Sequence, residues 1–227
     1  MTAVKRAVPT LIVALATVIG LLCAAATAHG AVLVADDFNR AALGPSWTTH
    51  GGGTLYIDNG QLSAVGTPSE PVSMAFHTTP ADSATQEVSA VIRWNGRSPV
   101  HSAMSVALRA DPGSQHAGVH FWFTANYYGI ALLDWGGTSF IPAAGTPAYA
   151  QNFWKWPDGT KITLKVTGNQ YSAYVSTMPW WPILQGTFTE AQVPHTNLYG
   201  GVHGQDDAAV PGGGQPPANL DNWRFTS

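Results

Sequence analysis

Polar and apolar residues alternate along much of this chain, and helical spacing is nearly absent. In "QEVSAVIRWNG", Val88, Ala90, Ile92 and Trp94 fall on one side, while Glu87, Ser89, Val91 and Arg93 fall on the other. "HSAMSVALRAD" sets Met104, Val106 and Leu108 against Ser105, Ala107 and Arg109, and "GVHFWFT" sets Val119, Phe121 and Phe123 against His120 and Trp122. Three half-buried strands in succession predict a meander.

Further strands are expected at "TLYID", "VSMAFHT", "YYGIALLDW", "KITLKV", "YSAYV", "LYGGVHG" and "NLDNWRFT", separated by turn residues such as Asp58-Asn59-Gly60 and Thr167-Gly168-Asn169. About a dozen short strands in one domain predict an all-β, two-sheet antiparallel β-sandwich, because each apolar face has to be covered by another. The segment "GQDDAAVPGGGQPPAN" reads as a long, exposed and mobile loop before the last strand.

The N-terminus changes this picture. Lys5 and Arg6 precede an apolar run from Leu11 to Ala28 that ends in Ala26-Thr27-Ala28, the small-x-small exit of a secretory signal. The reading is a signal peptide over residues 1–28 and a single sandwich domain over 29–227, with an uncleaved anchor as the alternative. Leu22 stands where a lipoprotein signal needs a small residue before Cys23, which argues against lipidation. Cleavage after Ala28 would remove the only cysteine and leave no disulfide, thiol nucleophile or thiolate metal site. The mature chain carries no membrane span and is expected to be secreted or extracellular, in association with a cell surface or free in the medium.

Charged residues make up 10% of the chain, against about 25% in an average domain, and no basic run interleaves with aromatics, so nucleic acid is not an expected partner. Nine Trp, seven Tyr and 24 Gly suit a sandwich that faces neutral ligands.

The opening "ADDFNRAALGPSWTTHGGGTLYIDNGQLSA", the centre "KITLKVTGNQYSAYV" and the closing "YGGVHGQ" and "NLDNWRFT" resemble concanavalin A-like (laminin-G-like) jelly-roll modules. Such modules occur in secreted glycan-binding proteins, in glycoside hydrolases and polysaccharide lyases, and in tail proteins of phages that infect actinobacteria. The resemblance implies a jelly roll whose first and last strands lie side by side, bringing Asp37 near Asp221 and pairing Phe38 with Trp223. The two acids are then either edge-strand carboxylates or ligands of a structural calcium, although two carboxylates without backbone carbonyls are a partial site.

Catalytic chemistry has few candidates. The three Glu are Glu70, Glu87 and Glu190, and the strand motif Glu-x-Asp-x-x-Glu of family 16 glycosidases is absent. Glu87 with Asp134 is the best remaining carboxylate pair for glycoside hydrolysis. A lyase would use Arg93, Arg109 and His120 on a concave sheet, with His120 as base. Gly-x-Ser-x-Gly, His-Glu-x-x-His and phosphate-loop motifs are all missing. His116 and His120 stand about 13 Å apart along a strand, too far for one zinc.

Sugar rings stack their C–H faces on exposed aromatics and need polar groups for their hydroxyls. Arg93, Arg109, His120 and Trp122 are expected to share the concave face and form a groove. Trp180 and Trp181, between prolines in "TMPWWPIL", are the second candidate, whereas Trp156 in "FWKWPDG" reads as a core anchor beside Trp154. The resulting expectation is a secreted, non-catalytic, lectin-like module for polysaccharide or cell-surface glycan. The alternatives are a glycoside hydrolase or polysaccharide lyase, and a phage virion or cell-envelope adhesion protein.

Overall fold

A computed structural model of the chain describes residues 31–114, 116–135, 139–207 and 214–227. The expected signal over 1–28 and the middle of the loop at 204–219 lie outside the described residues. Sixteen strands are found among the described residues. They begin with β1 (Val32–Asp36), β2 (Trp47–Gly51), β3 (Thr54–Asp58), β4 (Gln61–Val65), β5 (Val72–His77), β6 (Gln86–Arg93), β7 (Ala103–Ala110) and β8 (His116–Phe123). They continue with β9 (Tyr127–Asp134), β10 (Phe140–Pro142), β11 (Ala150–Gln151), β12 (Lys161–Thr167), β13 (Gln170–Val175), β14 (Leu184–Thr187), β15 (Tyr199–Gln205) and β16 (Asn219–Thr226). Among those residues no helix is long and apolar enough to cross a membrane.

The strands form two antiparallel sheets. The first has the order β14-β13-β12-β6-β16-β4-β3, with β1 added on β16; the second has the order β10-β9-β8-β7-β15-β5-β2, with β11 on β9. Asn59 and Gly60, both at positive φ, make the tight turn between β3 and β4 that the sequence signals.

β7, β8 and β9 are consecutive neighbours, but β6 is not part of their meander. It pairs with β12 and β16 in the first sheet, and residues 94–102 carry the chain across to the second. Alternation marks which side of a strand is apolar; it carries no information about which of two sheets the strand joins.

Val88, Ala90 and Ile92 of β6 pack in one buried cluster with Met104, Val106, Leu108, Val119, Phe121 and Phe123 from the second sheet. Each large side chain buried there contributes about 1.5–3 kcal/mol. Trp94 and Trp156 are also buried, and the Trp94 indole N–H donates to the Trp156 carbonyl at 2.7 Å, so its polar edge is matched inside the core.

β1 runs beside β16 with Asp36 opposite Trp223. Phe38 and Trp223 are both fully buried and are bridged by Trp47, whose ring lies 6.0 Å from the first and 4.8 Å from the second. The acid that organises this corner is Asp36. It accepts from both terminal nitrogens of Arg40 at 2.6 Å, from the Trp47 indole at 2.7 Å and from the Phe38 amide at 2.8 Å. Burial pulls its pKa up, and the Arg40, Trp47 and Phe38 donors more than offset this, leaving it below the ordinary value.

Candidate functional site

With Val106, Leu108, Val119, Phe121 and Val202 turned into the core, their alternating neighbours occupy the outward face of the second sheet. Across four adjacent strands this face presents Ala131 on β9, His120 and Trp122 on β8, Ser105 and Ala107 on β7, and His203 on β15. Lysine and arginine are missing from this set, which is built of small residues, aromatics and imidazoles.

Trp122 is half-buried and leans over β9. A Cβ on Gly129 would meet the indole at 2.7 Å, so only glycine leaves room for the ring to lie flat there. Phe140 of β10 meets the same indole edge-on at 5.9 Å. Together they wall a hollow of about 230 Å³ that also touches Leu133, Ala103, His203 and Gln205. A second hollow of about 350 Å³ shares His101, Trp122, Thr124 and Tyr149 with it, so the two form one trough.

Among the polar groups of this trough, Gln205 donates to Asp207 and Thr124 accepts from the Asn126 and Tyr127 amides, whereas His203 is unmatched. His203 is 3% exposed, and neither of its ring nitrogens has a hydrogen-bond partner. His120 lies behind the trough and lines neither hollow: it is 1% exposed, its Nδ1 pairs with Ser105 Oγ at 2.9 Å, and its Nε2 makes no hydrogen bond of regular geometry. The Trp122 Nε1 is likewise buried without a partner. Each unmatched group costs about 1–3 kcal/mol in a folded protein; of these residues, His203 and Trp122 line the hollow.

Burial pushes the His203 pKa down to about 4. Burial and the neighbouring His203, whose ring centroid is 5.6 Å away, push His120 well below its ordinary value against a smaller opposing pull from the Ala117 backbone. Both rings are therefore neutral near pH 7, and His203, with both nitrogens unpaired, offers one donor and one acceptor.

The structure brings together His120 and Trp122 but not the two arginines expected beside them. Arg93 lies on the first sheet, where its Nε and Nη2 hold Asp221 at 3.1 and 3.0 Å. Arg109 has φ of 57° beside an irregularity in the β7–β15 register, and its side chain is fully buried. A bulge re-aims a side chain. The Arg109 guanidinium donates instead to the carbonyls of Ala84 at 2.6 Å, Pro194 at 3.3 Å and Gly168 at 3.3 Å, tying three loops together.

Glu87 belongs to β6 of the first sheet and Asp134 to β9 of the second, with the core between the sheets, so they do not flank a common bond. Asp37 and Asp221 do not make a ready calcium site either. The Asp221 carboxylate is already held by Arg93, and Asp37 accepts from its own Asn39 amide at 3.0 Å. A guanidinium in that position opposes a second cation. Among the described residues no group of three or more His, Cys, Asp or Glu could hold a metal ion.

Trp180 and Trp181 are 84% and 76% exposed in the β13–β14 connection, and Trp154 is also exposed, while Trp156 is in the core. A hollow of about 670 Å³ surrounds Asp36 and Arg40, whose donors and acceptors satisfy one another, so its size is not matched by unmet chemistry.

His203, Gln205, Phe140 and Tyr149 were not anticipated as trough residues. The signal for His203 is present in "YGGVHG", where Val202 alternates with it as Phe121 does with His120. Phe140 and Tyr149 arrive through short strands and loops with no periodicity to read.

No family model and no curated protein matches the sequence. Solved structures do match. A protein of unknown function with a galectin-like fold from Bacillus subtilis aligns over 87% of this chain and 96% of its own, at 12% identity and a TM-score of 0.59. The carbohydrate-binding module CBM66 from Bacillus subtilis aligns over 80% of this chain and 96% of its own, at 13% identity and a TM-score of 0.54. Peanut lectin aligns over 85% and 96%, at 14% identity and a TM-score of 0.50. The fold is a concanavalin A-like jelly roll. At these identities the likeness establishes the architecture of the lectin-like sandwich, and activity has to be argued from the trough itself.

Proposed function

We propose that this protein is an exported, non-catalytic module that binds glycan in the outward trough of its second sheet. The observation that carries the reading is the set formed in the trough wall by the half-exposed Trp122 indole and by His203, whose two ring nitrogens have no hydrogen-bond partner. A sugar ring supplies what that set lacks: hydroxyls that both donate and accept, and a C–H face that packs on an aromatic. Export rests on the basic start, apolar run and small-residue exit of residues 1–28.

Hydrolysis with the usual carboxylate pair is disfavoured, because it needs two carboxyls about 5–10 Å apart across the bond. Asp207, in the outer hollow, is the sole carboxylate that lines the trough among the described residues.

A glycan array run beside a reducing-sugar release assay tests the proposal. Binding without release is the expected result. Release of sugar would make the protein an enzyme, and silence in both assays would point to a structural role at a virion or cell envelope.

A further inference from the structure

One end of the sandwich carries large apolar side chains that the core does not use. Among the described residues the most exposed of them are Trp154 and Trp180 at 84%, Phe153 at 79% and Trp181 at 76%. They belong to two connections, residues 152–160 before β12 and residues 176–183 after β13. β12 and β13 form a hairpin in which Ile162 pairs with Val175. Next to that pair the Lys161 amide donates to Ser176 Oγ at 3.0 Å and the Ser176 amide to the Lys161 carbonyl at 2.8 Å. The first connection therefore ends where the second begins, and both lie at the same end of the first sheet.

The backbone of both connections is tied down. In the first, the Asn152 amide donates to the Asn126 carbonyl at 2.6 Å, and Lys155 Nζ donates to the Arg97 carbonyl at 2.8 Å while standing 5.3 Å from the centre of the Trp94 ring. In the second, the Met178 amide donates to the Val175 carbonyl at 2.9 Å and the Ile183 amide to the Ala173 carbonyl at 2.8 Å. Pro179 and Pro182 keep Trp180 and Trp181 out of strand pairing. Two adjacent aromatic pairs are thus presented in water by ordered loops, and a concentration of exposed apolar surface marks a place where something docks.

We infer that this end of the sandwich docks on a membrane, with the Phe153-Trp154 and Trp180-Trp181 pairs entering the interfacial layer of an anionic lipid bilayer. Two aromatic pairs on separate connections would need two matched pockets in a rigid partner, whereas a fluid interface closes around both without shape complementarity. Tryptophan suits that layer because its ring is apolar and its N–H favours water. Charge points the same way. Residues 149–161 and 176–183 carry Lys155 and Lys161 against one acid, Asp158, in a chain of formal charge −3. Asp158 accepts from the Trp94 amide at 2.6 Å and faces Arg93 at 3.7 Å. Both lysines are exposed and have no carboxylate partner among the described residues. Cations beside interfacial aromatics are drawn to anionic headgroups. The docking is independent of what fills the trough.

Flotation of the exported protein, free of residues 1–28, with vesicles of phosphatidylcholine alone and of phosphatidylcholine mixed with phosphatidylglycerol reads the docking. Binding to the mixed vesicles, weaker in high salt and weaker on phosphatidylcholine alone, is the expected result. A variant combining Phe153→Ala, Trp154→Ala, Trp180→Ala and Trp181→Ala should keep the wild-type melting temperature and bind about tenfold less or weaker still. Lys155→Glu with Lys161→Glu should abolish the preference for phosphatidylglycerol. No binding to either vesicle, or equal binding by the alanine variant, overturns the inference. So does sedimentation with insoluble cellulose or chitin, or self-association in the ultracentrifuge, that the alanine variant abolishes, because the aromatics would then be covered by a solid glycan or by a second copy.

Discussion

Gly129 and Trp122 sit opposite one another on β9 and β8, and the Trp122 indole fills the space where any other side chain at 129 would begin. The φ of Gly129 is not in the left-handed region, so alanine there is not opposed by the backbone. It is opposed by the ring. Gly129→Ala is expected to lift Trp122 out of its position and to lower glycan affinity several-fold, at a stability cost of about 1 kcal/mol for local overpacking. Titration calorimetry and thermal melting check the two effects separately.

His203 is expected to weaken the fold in the service of binding. His203→Leu replaces a buried ring that has two unmatched nitrogens with an apolar group, a change that is near neutral or stabilising. The variant should melt at or above the wild-type temperature and lose about tenfold or more in glycan affinity, equivalent to about 1.4 kcal/mol. A variant that melts lower and binds normally would remove His203 from the site.

The same residue sets a pH dependence. His203 titrates near pH 4 in the folded protein against an ordinary 6.5, so between those values the unfolded chain holds a proton that the folded one does not. Stability from this source is complete above pH 6.5 and is lost as pH falls towards 4, by roughly 3 kcal/mol. His120 and His77, whose values are also lowered, chiefly by burial, act in the same direction. Urea unfolding at a series of pH values should show the decline, and it should be shallower in His203→Leu.

Arg109 is expected to matter for folding alone. Arg109→Met keeps most of the volume but leaves the carbonyls of Ala84, Pro194 and Gly168 without their shared donor, at a cost of about 3 kcal/mol. Glycan affinity per folded molecule should be unchanged, as measured by titration well below the melting temperature.

Trp180→Ala and Trp181→Ala separate the trough from the loop. Both side chains are largely exposed, so stability should stay within about 0.5 kcal/mol of wild type. Glycan affinity should also be retained. Loss of binding in Trp181→Ala with normal binding in Trp122→Ala would move the site to the β13–β14 connection.

The sequence by itself determined the strands and their inner faces. Val88, Ala90 and Ile92, or Val119, Phe121 and Phe123, announce a buried side because the period of a strand is two and burial acts on every second residue. It also determined that His120 and Trp122 would point away from the core, since the same period turns them outward. Tertiary structure decided what those outward residues meet. β6 joined the other sheet, so Arg93 found Asp221 and not His120. A local irregularity in β7 turned Arg109 towards three loop carbonyls, and no alternation pattern encodes a bulge. The contact of His50 with Trp135 across four intervening strands likewise follows from the curl of the second sheet. Curl is the accumulated twist and packing of many strands, so it belongs to no single stretch of chain.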